Sequence, residues 1–78
     1  MKIYFVERID EWSYDEYSDF VVCAESADEA INTHPYDGVF KARNCDWVDS
    51  KDKLKCTEIG EANETQSAGV ICASFHAG

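Results

Sequence analysis

Two apolar runs near the start of the chain predict the first two strands. Lys2–Ile9 is rich in β-branched and aromatic residues and has a period of two, which places Ile3, Phe5 and Ile9 on one partly buried face. Phe20–Ala24 is apolar without alternation, as in a strand that is covered on both faces or central in a sheet.

A short helix is predicted to follow the second strand. Ser26 and Glu29 have the spacing of a capping box, and Asp28 stands in the first turn, where the helix dipole favours an acid. The helix must end by His34, because Pro35 disfavours helical geometry at the residue before it. The predicted inner face consists of Ala27, Ala30 and Ile31.

The second half of the chain predicts two further strands. Tyr36–Gly38 has the residues of a turn, and Val39–Lys41 predicts a short extended piece in an otherwise irregular, mixed-charge loop that carries Trp47. Leu54–Ile59 alternates, which predicts a strand with one wet face. After a polar loop, Val70–Phe75 is apolar again and predicts a central strand.

This order of elements predicts the fold class. Seventy-eight residues make a single α+β domain, 1–78. We expect a small two-layer sandwich, in which a mostly antiparallel four-stranded sheet (β-β-α-β-β) carries one short helix on one face.

The charge of the chain restricts its partners. Sixteen acids against seven bases give a net charge of −9, which argues against direct binding to nucleic acid or to an anionic membrane surface. Residues 1–38 carry ten acids and two bases, whereas residues 39–56 carry three acids and five bases. The first apolar run is too short for a signal peptide or a membrane span, so we expect a cytoplasmic protein with reduced thiols.

No residue pattern indicates catalysis or a cofactor. Cys23, Cys45, Cys56 and Cys72 form no C-x-x-C pair, and His34 and His76 stand apart from them, so no zinc or other metal site is expected. Cys23 and Cys72 lie in apolar strands, where thiols act as small hydrophobic groups. Phosphate-binding glycine motifs and the nucleophile elbow are absent, so we predict no catalytic residues, no cofactor and no enzyme.

Residues 10–19 combine five acids with three aromatic rings and have no helical stripe, which predicts a long hairpin loop. Either the rings fold back over the sheet edge, or they are contact anchors surrounded by acids, as at protein interfaces. On the second interpretation the partner-binding residues are Asp10, Glu11, Trp12, Tyr14, Asp15, Glu16, Tyr17 and Asp19.

Three segments of the chain resemble small acidic proteins of tailed bacteriophages. They are residues 14–30, residues 59–62 and the final Gly-Val-Ile, Ser-Phe and Ala-Gly groups of residues 69–78. The resemblance implies an accessory protein in the host cytoplasm, and small phage proteins of this kind often disable host nucleic-acid machinery such as restriction or CRISPR effectors.

We therefore expect a phage accessory protein that binds and inhibits a bacterial host protein with a basic surface, such as an antiviral-defence factor (an anti-CRISPR activity) or another nucleic-acid-handling factor. Two alternatives stay open. One is a binding protein for a small nucleotide signal, supported by the bases of residues 39–56; the other is a structural or oligomerisation subunit of the phage, and self-association of the chain also stays open.

Overall fold

A computed structural model describes residues 1–41, 43 and 45–77, and it contains a four-stranded antiparallel sheet and one short α-helix. The elements are β1 (Lys2–Arg8), β2 (Glu16–Ala24), α1 (Ala27–Ile31), a 3-10 turn (Lys51–Lys53), β3 (Leu54–Glu61) and β4 (Gly69–His76). The expected α+β class, with its antiparallel sheet and short helix, is confirmed. Predicted loop positions 42 and 44 and the last residue of the tail, 78, lie outside the described residues.

The order of the strands across the sheet is β3-β1-β2-β4. β2 is central, as its apolar run predicts. β4 is an edge strand and is largely exposed, so the prediction that it is central was wrong. An apolar run indicates a strand, but its place in the sheet depends on pairing with residues distant in sequence.

One face of the sheet carries the core. Tyr4 and Val6 of β1 lie opposite Val22 and Phe20 of β2, and these four side chains are buried. The core face of β1 is thus the opposite of the predicted one. Ile3 and Phe5 are half-buried on the other face, and Ile9 is exposed beyond the end of the strand.

The core is closed by α1 together with the segment that follows it. Three buried residues pack against the strands: Ala30 of α1, and Trp47 and Val48 of the long loop that connects α1 to the 3-10 turn. The Trp47 ring meets Phe20 edge to face at 5.3 Å. The Val39–Lys41 piece is not a strand, although Phe40 packs against the core.

The signals that delimit the helix are confirmed. Ser26 caps α1 by accepting a hydrogen bond from the Glu29 amide at 3.2 Å. The Glu29 carboxylate accepts from the Glu25 amide, one residue earlier than in a standard capping box. The predicted turn before residue 39 is closed by a bond from the Gly38 amide to the His34 carbonyl at 3.0 Å, with Gly38 at φ 84°.

β2 begins at Glu16, so it takes in the last four residues of the predicted ten-residue loop. Glu16 and Tyr17 pair with His76 and Phe75 of β4, and this pairing from across the chain extends the strand. The connection between β1 and β2, called the β1–β2 loop below, is residues 9–15.

Candidate functional site

Arg8 holds the two ends of the β1–β2 loop. Its side chain is only 4% exposed, and its Nε and Nη2 atoms donate to Asp10 Oδ1 and Oδ2 at 2.6 and 3.0 Å. Its Nη1 atom reaches Glu16 Oε1 at 3.3 Å and the Tyr17 carbonyl at 3.2 Å, while Glu16 Oε2 accepts from the Ser13 amide. Hydrogen bonding to this guanidinium holds the pKa of Asp10 below its usual range. Asp10 and Glu16 therefore position the loop.

The top of the loop exposes two aromatic rings and two acids. Trp12 is 46% exposed and Tyr14 is 75% exposed, and Glu11 and Asp15 are exposed beside them in sequence. Asp15 adopts a left-handed conformation, φ 62°, and its amide donates to the His76 carbonyl. These four residues are the part of the predicted set that presents itself to solvent.

The Trp12 ring packs against His76, the last residue of β4. The centroids of the Trp12 and His76 rings are 5.4 Å apart and the ring planes are inclined by 39°. The two rings, with Ser13 and Tyr14, line an open depression of about 220 Å³. The sequence predicts no partner for His76, because nothing local indicates that residue 76 pairs with Glu16.

His76, Ser18 and Asp19 form a short hydrogen-bonded chain. The Ser18 hydroxyl donates to Asp19 Oδ2 at 3.0 Å, so His76 Nε2, at 2.8 Å from Ser18 Oγ, is the donor in the second bond. A nucleophilic serine requires the reverse, a histidine that accepts the hydroxyl proton. The chain of bonds therefore orients the His76 ring that packs against Trp12. It also engages Asp19, another predicted contact residue, in a hydrogen bond with Ser18.

Tyr17 belongs to the edge of the core. It is half-buried in β2, and its ring meets Phe75 at 4.8 Å and His34 at 6.2 Å, edge to face in both cases. Burial, with the nearby Asp46 carboxylate, raises the pKa of its hydroxyl. Of the three aromatic rings of residues 10–19, Tyr17 packs into the protein, whereas Trp12 and Tyr14 stay exposed.

His34 is a second polar group that sequence reasoning left isolated. It is buried, its Nδ1 accepts from the Tyr36 and Asp37 amides at 3.0 Å each, and its Nε2 lies 2.8 Å from Asp46 Oδ1. Because Nδ1 accepts two amide protons, Nε2 carries the proton and donates it to Asp46. Both nitrogens are engaged, so this pair ties the turn after α1 to the long loop.

Most bases of the basic segment, residues 39–56, have a partner on the protein's own surface. Four of its bases contact an acid or an aromatic ring: Lys41 with Asp37, Lys51 with Phe40, Lys53 with Asp49 and Lys55 with Glu7.

A second depression, of about 280 Å³, lies between α1, the end of β2 and the start of β4. Neither this depression nor the one beside Trp12 has a lysine or arginine in its lining.

Among the described residues, no three His, Cys, Asp or Glu side chains come together in a way that could hold a metal ion. Within residues 1–41, 43 and 45–77, no helix is long and apolar enough to cross a membrane. A scan against models of protein families, a search of curated proteins and a search of solved structures each gave no match to this chain.

Proposed function

We propose that this protein binds another protein that carries a basic, partly apolar surface, and that the top of the β1–β2 loop makes the contact. The observation that carries the proposal is the position of Trp12, which rests on His76 yet keeps nearly half of its surface in solvent. A half-exposed tryptophan that packs on another ring is a typical interface anchor, since less side-chain freedom is lost when a partner covers it.

The contact set that we propose is smaller than the set predicted from the sequence. Glu11, Trp12, Tyr14 and Asp15 are the exposed members, and His76 joins them. A lysine or arginine of the partner can place its cation on the Trp12 face, where the ring attracts it and the neighbouring carboxylates complement its charge.

The overall charge supports a basic partner. At −9 the chain attracts a surface rich in lysine and arginine, and long-range attraction speeds the encounter of oppositely charged proteins. Proteins that handle nucleic acid carry such surfaces. With the resemblance to small phage proteins, this supports a phage accessory protein that inhibits a host defence or nucleic-acid-handling factor in the host cytoplasm.

A nucleotide-binding function has less support. A site for a nucleotide needs several positive groups or amides converging on the phosphates. Four bases of residues 39–56 instead contact acids or a ring on the protein's own surface, and neither depression described above has a base in its lining.

The test is affinity capture from a lysate of phage-infected bacteria with a panel of immobilised variants. Glu11→Gln with Asp15→Asn removes two charges, and asparagine tolerates the left-handed conformation of residue 15. Trp12→Ala removes the anchor. We expect the wild type to retain a basic protein. The double variant should bind this protein more slowly and with a weaker dependence on salt. Trp12→Ala should release it roughly tenfold faster or more.

Matched controls are taken from outside residues 9–15. Tyr36→Ala removes an aromatic ring that is 72% exposed, and Asp52→Asn with Glu64→Gln removes two exposed charges. Both controls should bind as the wild type does. A partner that is lost equally from the controls and from the loop variants would contradict the proposal, as would a partner that all variants retain. Capture of phage proteins alone would favour the structural-subunit alternative.

A further inference from the structure

Three aromatic rings line the depression beside the β1–β2 loop. Trp12, Tyr14 and His76 form its walls together with Ser13, and its volume is about 220 Å³. Trp12 and Tyr14 keep 46% and 75% of their surface in solvent. A concave site built from rings binds either a flat apolar group or a cation, because the face of an aromatic ring carries negative potential.

The charge around the depression favours a cation over a neutral or anionic ligand. Residues 9–15 carry three acids and no base, and no lysine or arginine lines the depression. Two of these acids, Glu11 and Asp15, are exposed and adjoin the aromatic residues in the chain. With −9 on the whole chain, a phosphate or carboxylate is repelled from this surface and a positive group is attracted to it.

We propose that the depression binds one arginine side chain of the partner, with the guanidinium flat against the Trp12 ring. This arginine site rests on the proposed function and names the chemistry that Trp12 recognises in the partner. A guanidinium is planar and less strongly hydrated than an ammonium, so it loses less when it leaves water and lies on a ring. Its N–H donors point outward in its own plane, where they stay available to neighbouring acceptors while the face is stacked.

His76 provides one such acceptor. Its Nε2 donates to the Ser18 hydroxyl at 2.8 Å, and that hydroxyl donates to Asp19. Nδ1 of the neutral His76 ring is therefore an acceptor, which suits the N–H group of a guanidinium. The same bonds orient the ring that packs against Trp12, 5.4 Å between centroids, so less ordering is required when the arginine binds.

A lysine gains less at this site. Its ammonium is a compact, strongly hydrated charge that has no flat face to stack on a ring. General attraction to the acidic chain is the same for arginine and lysine, because each carries one positive charge. A preference for arginine over lysine therefore measures contact with the rings, apart from the attraction between net charges.

The experiment compares three peptides of equal length and charge: repeats of arginine and glycine, of lysine and glycine, and of trimethyllysine and glycine. Binding to the full chain is followed by NMR titration of the Trp12 indole N–H, which is assigned by its absence from the spectrum of Trp12→Ala. We expect the arginine peptide to bind about fivefold tighter than the lysine peptide. The resonances of the Trp12 indole and of the His76 ring should shift as the arginine peptide binds.

Variants locate this preference on the protein. Trp12→Ala should bring the two affinities to about the same value, since it removes the ring on which the guanidinium stacks. Tyr14→Ala, at a side chain 75% exposed, should reduce the preference, and it keeps the test available if circular dichroism finds Trp12→Ala unfolded. Tyr36→Ala removes an aromatic ring that is 72% exposed outside the loop and should leave the preference unchanged.

Four results would overturn the arginine site. They are no shift of the Trp12 indole with any peptide, equal affinity for the arginine and lysine peptides, a preference for arginine that survives both Trp12→Ala and Tyr14→Ala, and tightest binding of the trimethyllysine peptide. The last would assign the depression to a quaternary ammonium.

The peptides and the lysate capture separate this site from the proposed function. Capture of a basic protein that depends on Trp12, with equal affinity for the arginine and lysine peptides, would overturn the arginine site and leave the proposed function standing. A preference for arginine that depends on Trp12, with no protein captured, would support the arginine site and contradict the proposed partner.

Discussion

Asp10 receives two parallel hydrogen bonds from Arg8, with Nε to Oδ1 at 2.6 Å and Nη2 to Oδ2 at 3.0 Å. The Arg8 side chain lies on the core face of β1 and is nearly inaccessible to solvent. A guanidinium buried to this degree needs carboxylate partners, since an unpaired buried charge is costly. Two acids of the predicted binding loop, Asp10 and Glu16, meet this need inside the protein.

The Arg8–Asp10 pair predicts a stability that depends on pH. Asp10→Asn should lower the free energy of unfolding by about 2 kcal/mol at neutral pH, because it removes hydrogen bonds to a charged group. The pKa of folded Asp10 lies below its ordinary value of 3.8, so the contribution is present above that pH and is lost as pH falls through the folded pKa. Urea denaturation at several pH values should show the wild type and the variant converging in acid.

Asp49→Asn is the control for this measurement. Asp49 also accepts a bond from a base, Lys53 Nζ at 2.8 Å, but both side chains are largely exposed. Solvent screens exposed pairs of this kind, so this pair should contribute little to stability. If Asp10→Asn costs no more than Asp49→Asn, the Arg8 pair does not hold the loop.

The N-cap of α1 provides a second prediction. Ser26→Ala should destabilise the domain by about 1 kcal/mol, because the amide of Glu29 loses its acceptor. Glu29→Gln should cost less, since its carboxylate accepts only from the Glu25 amide at the surface. Thermal and urea unfolding should rank the variants in this order. Ser67→Ala, in the exposed loop before β4, is the control, and a loss equal to that of Ser26→Ala would mean that the cap carries no particular stability.

The sequence predicts the features whose causes are local. Ser26 and Glu29 stand three residues apart and Pro35 stands close behind, so the helix can be delimited without knowledge of the rest of the fold. The first two apolar runs likewise predict β1 and the inner part of β2. Which face of β1 packs into the core could not be predicted. The core face carries a charged residue, Arg8, whose charge is balanced by the loop acids Asp10 and Glu16.

The candidate site could be predicted only in part, because long-range pairing builds it. The acidic loop predicts Trp12 and Tyr14 as contact residues, and both are exposed. The sequence places Tyr17 in the same loop, but pairing with Phe75 makes it part of β2. His76 is 64 residues from Trp12 in the sequence, and no local pattern places the two rings together.

The thiols provide a third prediction, and it corrects the expectation that Cys72, like Cys23, acts as a small hydrophobic group inside an apolar strand. Cys23 is buried, whereas Cys72 lies on the exposed edge strand and Cys45 is exposed in the long loop. Burial raises the pKa of Cys56, which slows its reaction because the thiolate is the reactive form. Labelling with a maleimide and peptide mass spectrometry should find Cys45 and Cys72 modified first, at least about tenfold faster than Cys23, whose reaction requires local opening. Equal rates for Cys23 and Cys72 would mean that β4 is not exposed.

The two tryptophans provide the prediction that decides whether the loop can be a binding surface. Trp47 is buried against Phe20, with the Arg8 guanidinium 5.9 Å from the centre of its ring, so Trp47→Ala should cost about 3–5 kcal/mol, most of the stability of so small a domain. Trp12 packs on His76 and keeps 46% of its surface in solvent, so Trp12→Ala should cost clearly less than Trp47→Ala. Urea denaturation followed by circular dichroism should find the Trp12 variant folded and the Trp47 variant largely unfolded. If Trp12→Ala unfolds the chain as well, its ring belongs to the core, and the proposed contact surface loses its anchor.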